Sequence, residues 1–147
     1  MTLANSPADI LRWLMIADSK ATDPALGGSW PVYVSAEPDA PDSSITVYDT
    51  AGRIEGRVFT GDRTEHYGVM IRLRLATGQG FTVGWAKAND LGVWLDESTT
   101  QRSVTVGASS YLVSAVTRTG PVLPVGREPE SGRRIFTLNA VITVKQN

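Results

Sequence analysis

Cysteine is absent from this chain, and His66 is its only histidine. Disulfides and thiolate metal sites are therefore excluded, and a site built on several histidines cannot form within one subunit. The lack of cysteine fits a cytosolic origin. Charge of one sign is also missing: 14 basic against 15 acidic residues leave a net charge of −1. With no basic excess, binding nucleic acid through its phosphates has no electrostatic footing. Long apolar runs are lacking as well. The stretch 10–17 is broken by Arg12 and falls far short of a membrane span, and the amino end has no basic head of the signal-peptide kind. The expectation is a soluble chain that makes no membrane contact and is not exported.

What is present suits an ordinary globular protein. Residues 1–147 read as a single domain, long enough to bury roughly two-thirds of the unfolded surface without staples. Arginine outnumbers lysine 11 to 3. Its planar fork pairs with carboxylates and stacks on rings, which suits interfaces. The codon bias of a GC-rich genome would give the same excess, and the two explanations stand level.

Ser6 followed by Pro7 predicts a helix start, with a hydroxyl cap and proline in the first turn. The helix is expected to run to about Lys20, with Ile10, Trp13, Leu14 and Ala17 as its stripe. Leu11, Met15 and Ile16 widen the apolar surface beyond that stripe, so burial on more than one side is expected, inside the monomer or against a neighbouring subunit. Strands are expected at 30–36, 45–50 and 67–76. The last of these alternates Val69, Ile71, Leu73 and Leu75 with Met70, Arg72 and Arg74, which predicts one core face and one polar face. A second helix begins at Phe81, with Trp85, Ala88, Leu91 and Leu95 on its stripe and Gly84 and Gly92 as weak points. Strands at 102–106, 110–118 and 134–145 follow, and 119–132 reads as a proline-bearing loop. The order α-β-β-β-α-β-β-β predicts an α+β fold: a mixed, largely antiparallel sheet with both helices on one face.

No motif carries catalysis. Asp49-Thr50-Ala51-Gly52 occurs at nucleotide switches, but no glycine-rich loop with lysine and a hydroxyl residue accompanies it, so a triphosphate has no cradle. Glu65 and His66 are neighbours, and adjacent strand residues point to opposite faces, which argues against an acid/base pair. There is no Gly-x-Ser-x-Gly elbow. A small hydrolase or ligand-binding domain using Glu65 and His66 is the alternative from a different class. The expectation is no enzyme, no cofactor and no metal. Of the four tryptophans, Trp13 and Trp85 are expected in the core, and Trp30 is a candidate surface anchor.

The segment 51–66 is more informative. It is a long polar connection between two strands, where most loops in compact domains span only a few residues. Arg53, Glu55, Arg57, Asp62 and Arg63 alternate there with apolar Ile54, Val58 and Phe59. Mixed charge around apolar anchors suits a protein interface. A solvated hairpin tip is the plainer reading. The candidate interface comprises Arg53, Glu55, Arg57, Phe59, Asp62 and Arg63, extended by the face that carries Arg72 and Arg74, which is either solvent or contact.

Several pieces in this order also form a pattern: Val47-Tyr48-Asp49-Thr50, Glu65-His66-Tyr67-Gly68-Val69-Met70-Ile71-Arg72, Lys87-Ala88, Leu95-Asp96, the stretch 123–128, and Arg134-Ile135-Phe136-Thr137-Leu138-Asn139. The pattern resembles the tail-terminator (minor capsid, minor tail) proteins of long-tailed bacteriophages and spans most of the chain. The resemblance implies a mixed sheet flanked by helices, with a protruding strand-loop arm. It also implies a structural virion protein at the head-tail junction, made in the bacterial host cytoplasm. Such a protein caps the tail tube, stops its growth and offers a head-tail joining surface. Family members work as rings, typically hexamers, so the implied partners are the chain itself, the tail tube protein and a head-completion or connector protein. DNA only passes through the lumen. A head-completion or stopper protein at the same joint is the nearest alternative.

Overall fold

The computed structural model describes residues 3–57 and 63–147, with side chains outside 53–64. Among the described residues, two helices and seven strands follow in the order α1 (Pro7–Ala17), β1 (Val32–Val34), β2 (Ser44–Arg57), β3 (Arg63–Leu75), α2 (Phe81–Glu97), β4 (Arg102–Val106), β5 (Ser109–Arg118), β6 (Leu123–Arg127) and β7 (Arg134–Gln146). The strands form one sheet of order β1-β2-β3-β7-β5-β4, with β6 also on β7. Only β1 and β2 run parallel; every other pair is antiparallel. This is the expected α+β architecture, with a mixed, largely antiparallel sheet.

Helix α1 starts as its sequence dictates. Ser6 Oγ accepts from the Asp9 N–H at 3.3 Å, and the Ala8 N–H donates to Asp49 Oδ1 of β2 at 2.9 Å. It ends at Ala17, three residues short of the expected end. Ser19 takes a left-handed φ of 58°, its N–H reaches Ile16 O, and the Lys20 N–H reaches Met15 O. That is the hydrogen-bond pattern of a helix stop that usually has glycine in the left-handed position. The buried set also differs from the expected stripe. Ala8, Ile10, Leu11, Leu14 and Met15 are fully buried, Trp13 is half-buried and Ala17 is exposed. The sheet curls so that strands from both of its edges, β1 and β2 on one side and β4 on the other, pack on α1. A helix held from several sides needs apolar residues around most of its circumference. Its breadth of apolar surface is thus used within the monomer.

Helix α2 runs unbroken through Gly84 and Gly92. Both glycines are places of close approach: a Cβ on Gly84 would collide with the Phe136 ring, and one on Gly92 would lie 2.8 Å from an Arg118 guanidinium nitrogen. The buried face comprises Gly84, Ala88, Leu91, Gly92, Trp94 and Leu95. Trp85, expected in the core, is 39% exposed and stacks on Phe81 with ring centroids 6.0 Å apart. The glycine side of the helix sits closest to the sheet and turns Trp85 outward.

Asp18, at the end of α1, joins that helix to α2 and β4. Its carboxylate accepts from both terminal nitrogens of Arg102 on β4, at 2.8 and 2.6 Å, and from the Trp94 indole of α2 at 2.8 Å. The Arg102 bond is the largest influence and holds the carboxyl below its ordinary value of 3.8; burial opposes it and the Trp94 bond assists. A depressed folded value means that the stabilisation is complete above the ordinary carboxylate range and is lost as pH falls through the folded value. Urea midpoints between about pH 2 and pH 6 should fall on the acid side, and Asp18→Asn should flatten that limb while lowering stability at neutral pH.

Strand β6 lies inside the stretch read as a loop. It pairs with the Arg134–Thr137 part of β7, along the edge that β5 occupies further on, so β6 continues the line of β5. Every residue of β6 is exposed. Pro124 and Gly126 frame a register shift, which is how an edge strand tolerates proline.

Candidate interaction surface: the arm and its root

Strands β2 and β3 outrun the sheet. Strand β1 accompanies β2 only at Ile45, Thr46 and Val47. Strand β7 accompanies β3 from Leu75 to His66, which pairs with Thr143. Arg53 pairs with this His66 on the other side, and beyond it the described pairs join β2 to β3 alone: Ile54 with Glu65 and Arg57 with Arg63. The connection expected as a loop over 51–66 is therefore largely a two-stranded antiparallel ribbon leaving the sheet. Arg53, Glu55 and Arg57 lie on its β2 strand, and Arg63 begins β3. Phe59 and Asp62 lie outside the described residues.

The root of the ribbon presents a different side chain to each face of the sheet. On one face the Tyr67 hydroxyl donates to Glu65 Oε2 at 2.5 Å, and burial together with this carboxylate pushes the phenol up to about 12. These two residues and Leu3, Asn5 and Pro7 line an open concavity of about 450 Å³. On the other face His66 Nδ1 lies 2.8 Å from Thr143 Oγ1, beside a concavity of about 350 Å³ lined also by Ala115, Thr117 and Val141. Glu65 and His66 thus point to opposite faces, and the geometry assembles no acid/base pair from them. Among the described residues no group of three or more His, Asp or Glu side chains is arranged to hold a metal. No described helix is long and apolar enough to cross a membrane.

Arg72 and Arg74 do not belong with the arm. They sit at the other end of β3, beneath the 37–43 connector. Arg74 is 2% exposed, with Nη1 on Glu37 Oε1 at 3.2 Å, Nη2 on Pro41 O at 2.6 Å and Nε on Asp42 O at 3.1 Å. Arg72 Nε lies 2.9 Å from the second oxygen of Glu37. The alternation of β3 correctly separates these arginines from the apolar face, but at this end the connector covers Arg74 and leaves Arg72 one-third exposed. Arg74 is corrected from a candidate contact residue to a buried structural one. Arg133 extends the clasp, donating to Glu128 Oε1 at 2.9 Å and Asp39 O at 2.8 Å, and so joins the connector to the turn before β7.

Sequence reasoning overlooked Glu37, in the segment read as a connector, and Arg133, between the loop read at 119–132 and the strand read from 134. The structure places Gly52, read as part of the Asp49-Thr50-Ala51-Gly52 tetrapeptide, at a close crossing of two strands. The chain matches no protein-family model and no curated protein.

Proposed function

We propose that this chain is a structural virion protein that caps the phage tail tube, ends its polymerisation and forms the head-tail joining surface as a ring of identical subunits. The observation that carries this is the two-stranded arm. It reaches past the last pairing of β3 with β7, at His66 and Thr143, and its register sets Arg57 directly opposite Arg63. Like charges directly opposite on a ribbon are destabilising. A partner that brings carboxylates to the arm relieves this, as complementary interfaces do. Identical head-to-tail contacts of this kind close into a ring when the rotation per subunit divides the circle. The partners are then further copies of the chain, the tail tube protein and a head-completion protein.

Arg57→Asp separates docking from arm stability. The substitution places opposite charges across the ribbon, so the arm pairs at least as well, while the charge offered to a partner is reversed. Binding of purified protein to the ends of purified tail tubes should weaken strongly, since like charges across an interface cost up to several kcal/mol. End-labelling by electron microscopy reads the result. Undiminished capping by the variant would remove the arm from the contact.

A further inference from the structure

The ribbon leaves the sheet through two glycines that meet across the strands. Thr50 pairs with Gly68 and Arg53 with His66, so Ala51 and Gly52 together oppose Tyr67 alone. The extra residue makes a bulge, which bends its strand and raises the local twist. The bend brings the two backbones closer than side chains would allow. A Cβ on Gly52 would collide with the His66 carbonyl oxygen and lie 2.8 Å from Tyr67 Cα and 2.9 Å from Gly68 N. A Cβ on Gly68 would collide with Ala51 O and Thr50 Oγ1 and lie 2.9 Å from the Ala51 carbonyl carbon. Neither glycine has a left-handed φ. Both positions therefore demand glycine for space rather than for backbone freedom.

The crossing is pinned from both faces. The His66–Thr143 contact holds β3 to β7 at the last paired position, and the Tyr67–Glu65 bond runs along the opposite face. A second shift follows at once: between the Ile54–Glu65 and Arg57–Arg63 pairs, Glu55 and Gly56 oppose Thr64 alone. Both extra residues fall on β2, so the bend is a property of that strand.

We infer that Gly52 and Gly68 are positioning residues: their backbone crossing sets the direction in which the arm leaves the sheet, and so the partner surface it reaches. This rests on the arm being the contact element proposed above. A bulge that only ended strand pairing would not need glycine on both strands. Each glycine faces the backbone of the opposite strand, Gly52 that of residues 66–68 and Gly68 that of Ala51, which makes the crossing tighter than any residue with a side chain permits.

The chain has no cysteine, so two introduced ones report alone. Nitroxide labels on Glu55→Cys and Lys145→Cys measure the angle between arm and sheet as a distance distribution in the free protein. The parent should give one narrow distance. Gly52→Ala, Gly68→Ala and a variant lacking Ala51 should each displace or broaden it while the cooperative melt of the domain persists. The Ala51 deletion removes the extra residue without adding a side chain, and it keeps the test available if an alanine variant folds poorly. The same variants should bind tail-tube ends about tenfold or more weakly, as when the competent orientation is populated only a tenth of the time. An unchanged distance in all three overturns the inference, and so does a displaced distance with undiminished end binding. If the parent itself does not bind tube ends, the tail-capping reading fails, and the distance measurement still decides what the glycines do.

Discussion

Glu37→Ala is expected to lower stability by about 3 kcal/mol, because it leaves the buried Arg74 guanidinium without its counter-charge. Arg74 is 2% exposed, and the Glu37 carboxylate serves both Arg74 and Arg72. Removing one partner of a buried ion pair costs far more than the pair contributes on forming, since the remaining charge stays desolvated. The Pro41 and Asp42 carbonyls still accept from Arg74 and keep the loss at the lower end of that range. At this chain length, 3 kcal/mol corresponds to a fall in melting temperature of about 10 °C. Asp90→Ala is the internal control. Its partner Lys20 is 29% exposed and Asp90 itself 48%, and a pair this open to solvent contributes under about 1 kcal/mol. Urea denaturation of both variants measures the contrast. A loss from Glu37→Ala no larger than that from Asp90→Ala would show that the carbonyls alone satisfy Arg74.

The same clasp shows where sequence reading reaches its limit. The alternation along β3 places Arg72 and Arg74 away from the apolar core, and that much is legible in the order of residues. What covers them is not, because the 37–43 connector carries no periodicity, and its role depends on contacts with β3 and, through Arg133, with a turn some 90 residues on. Helix α1 teaches the converse. Its apolar breadth announces burial on several sides, and the curl of the sheet supplies those sides within one subunit. The choice between a neighbour and its own sheet required knowing that β4 returns to α1, a long-range pairing with no local signature. Strand β6 was hidden by Pro124 and Gly126, residues that mark loops and are tolerated at an exposed sheet edge.

The arm was half legible. Glycines and mixed charge over 51–66 signal a segment outside the core, and the alternation that would announce strands is interrupted by two bulges. Each bulge moves later side chains out of register with earlier ones, so a period-2 pattern cannot survive across it. Gly52 and Gly68 lie 16 positions apart in sequence, and only the pairing of β2 with β3 reveals that they fall at one crossing.

If the chain caps a phage tail tube, as proposed above, loss of its gene is expected to have the largest effect of all. A tube grows because each added ring presents the surface to which the next ring binds. A cap must bind that surface on one side and offer no copy of it on the other. Without the cap, tube protein should continue past the normal length, and heads that package DNA normally should find no tail end to join. The Arg57→Asp chain should restore length control poorly, and an Asp90→Ala chain should restore it fully. Electron microscopy of lysates from the phage lacking this gene tests the tail-capping account most directly. The account predicts overlong, unattached tubes beside full heads. Normal-length tails joined to heads would contradict it, and normal-length tails left unattached would assign the chain to the stopper position instead.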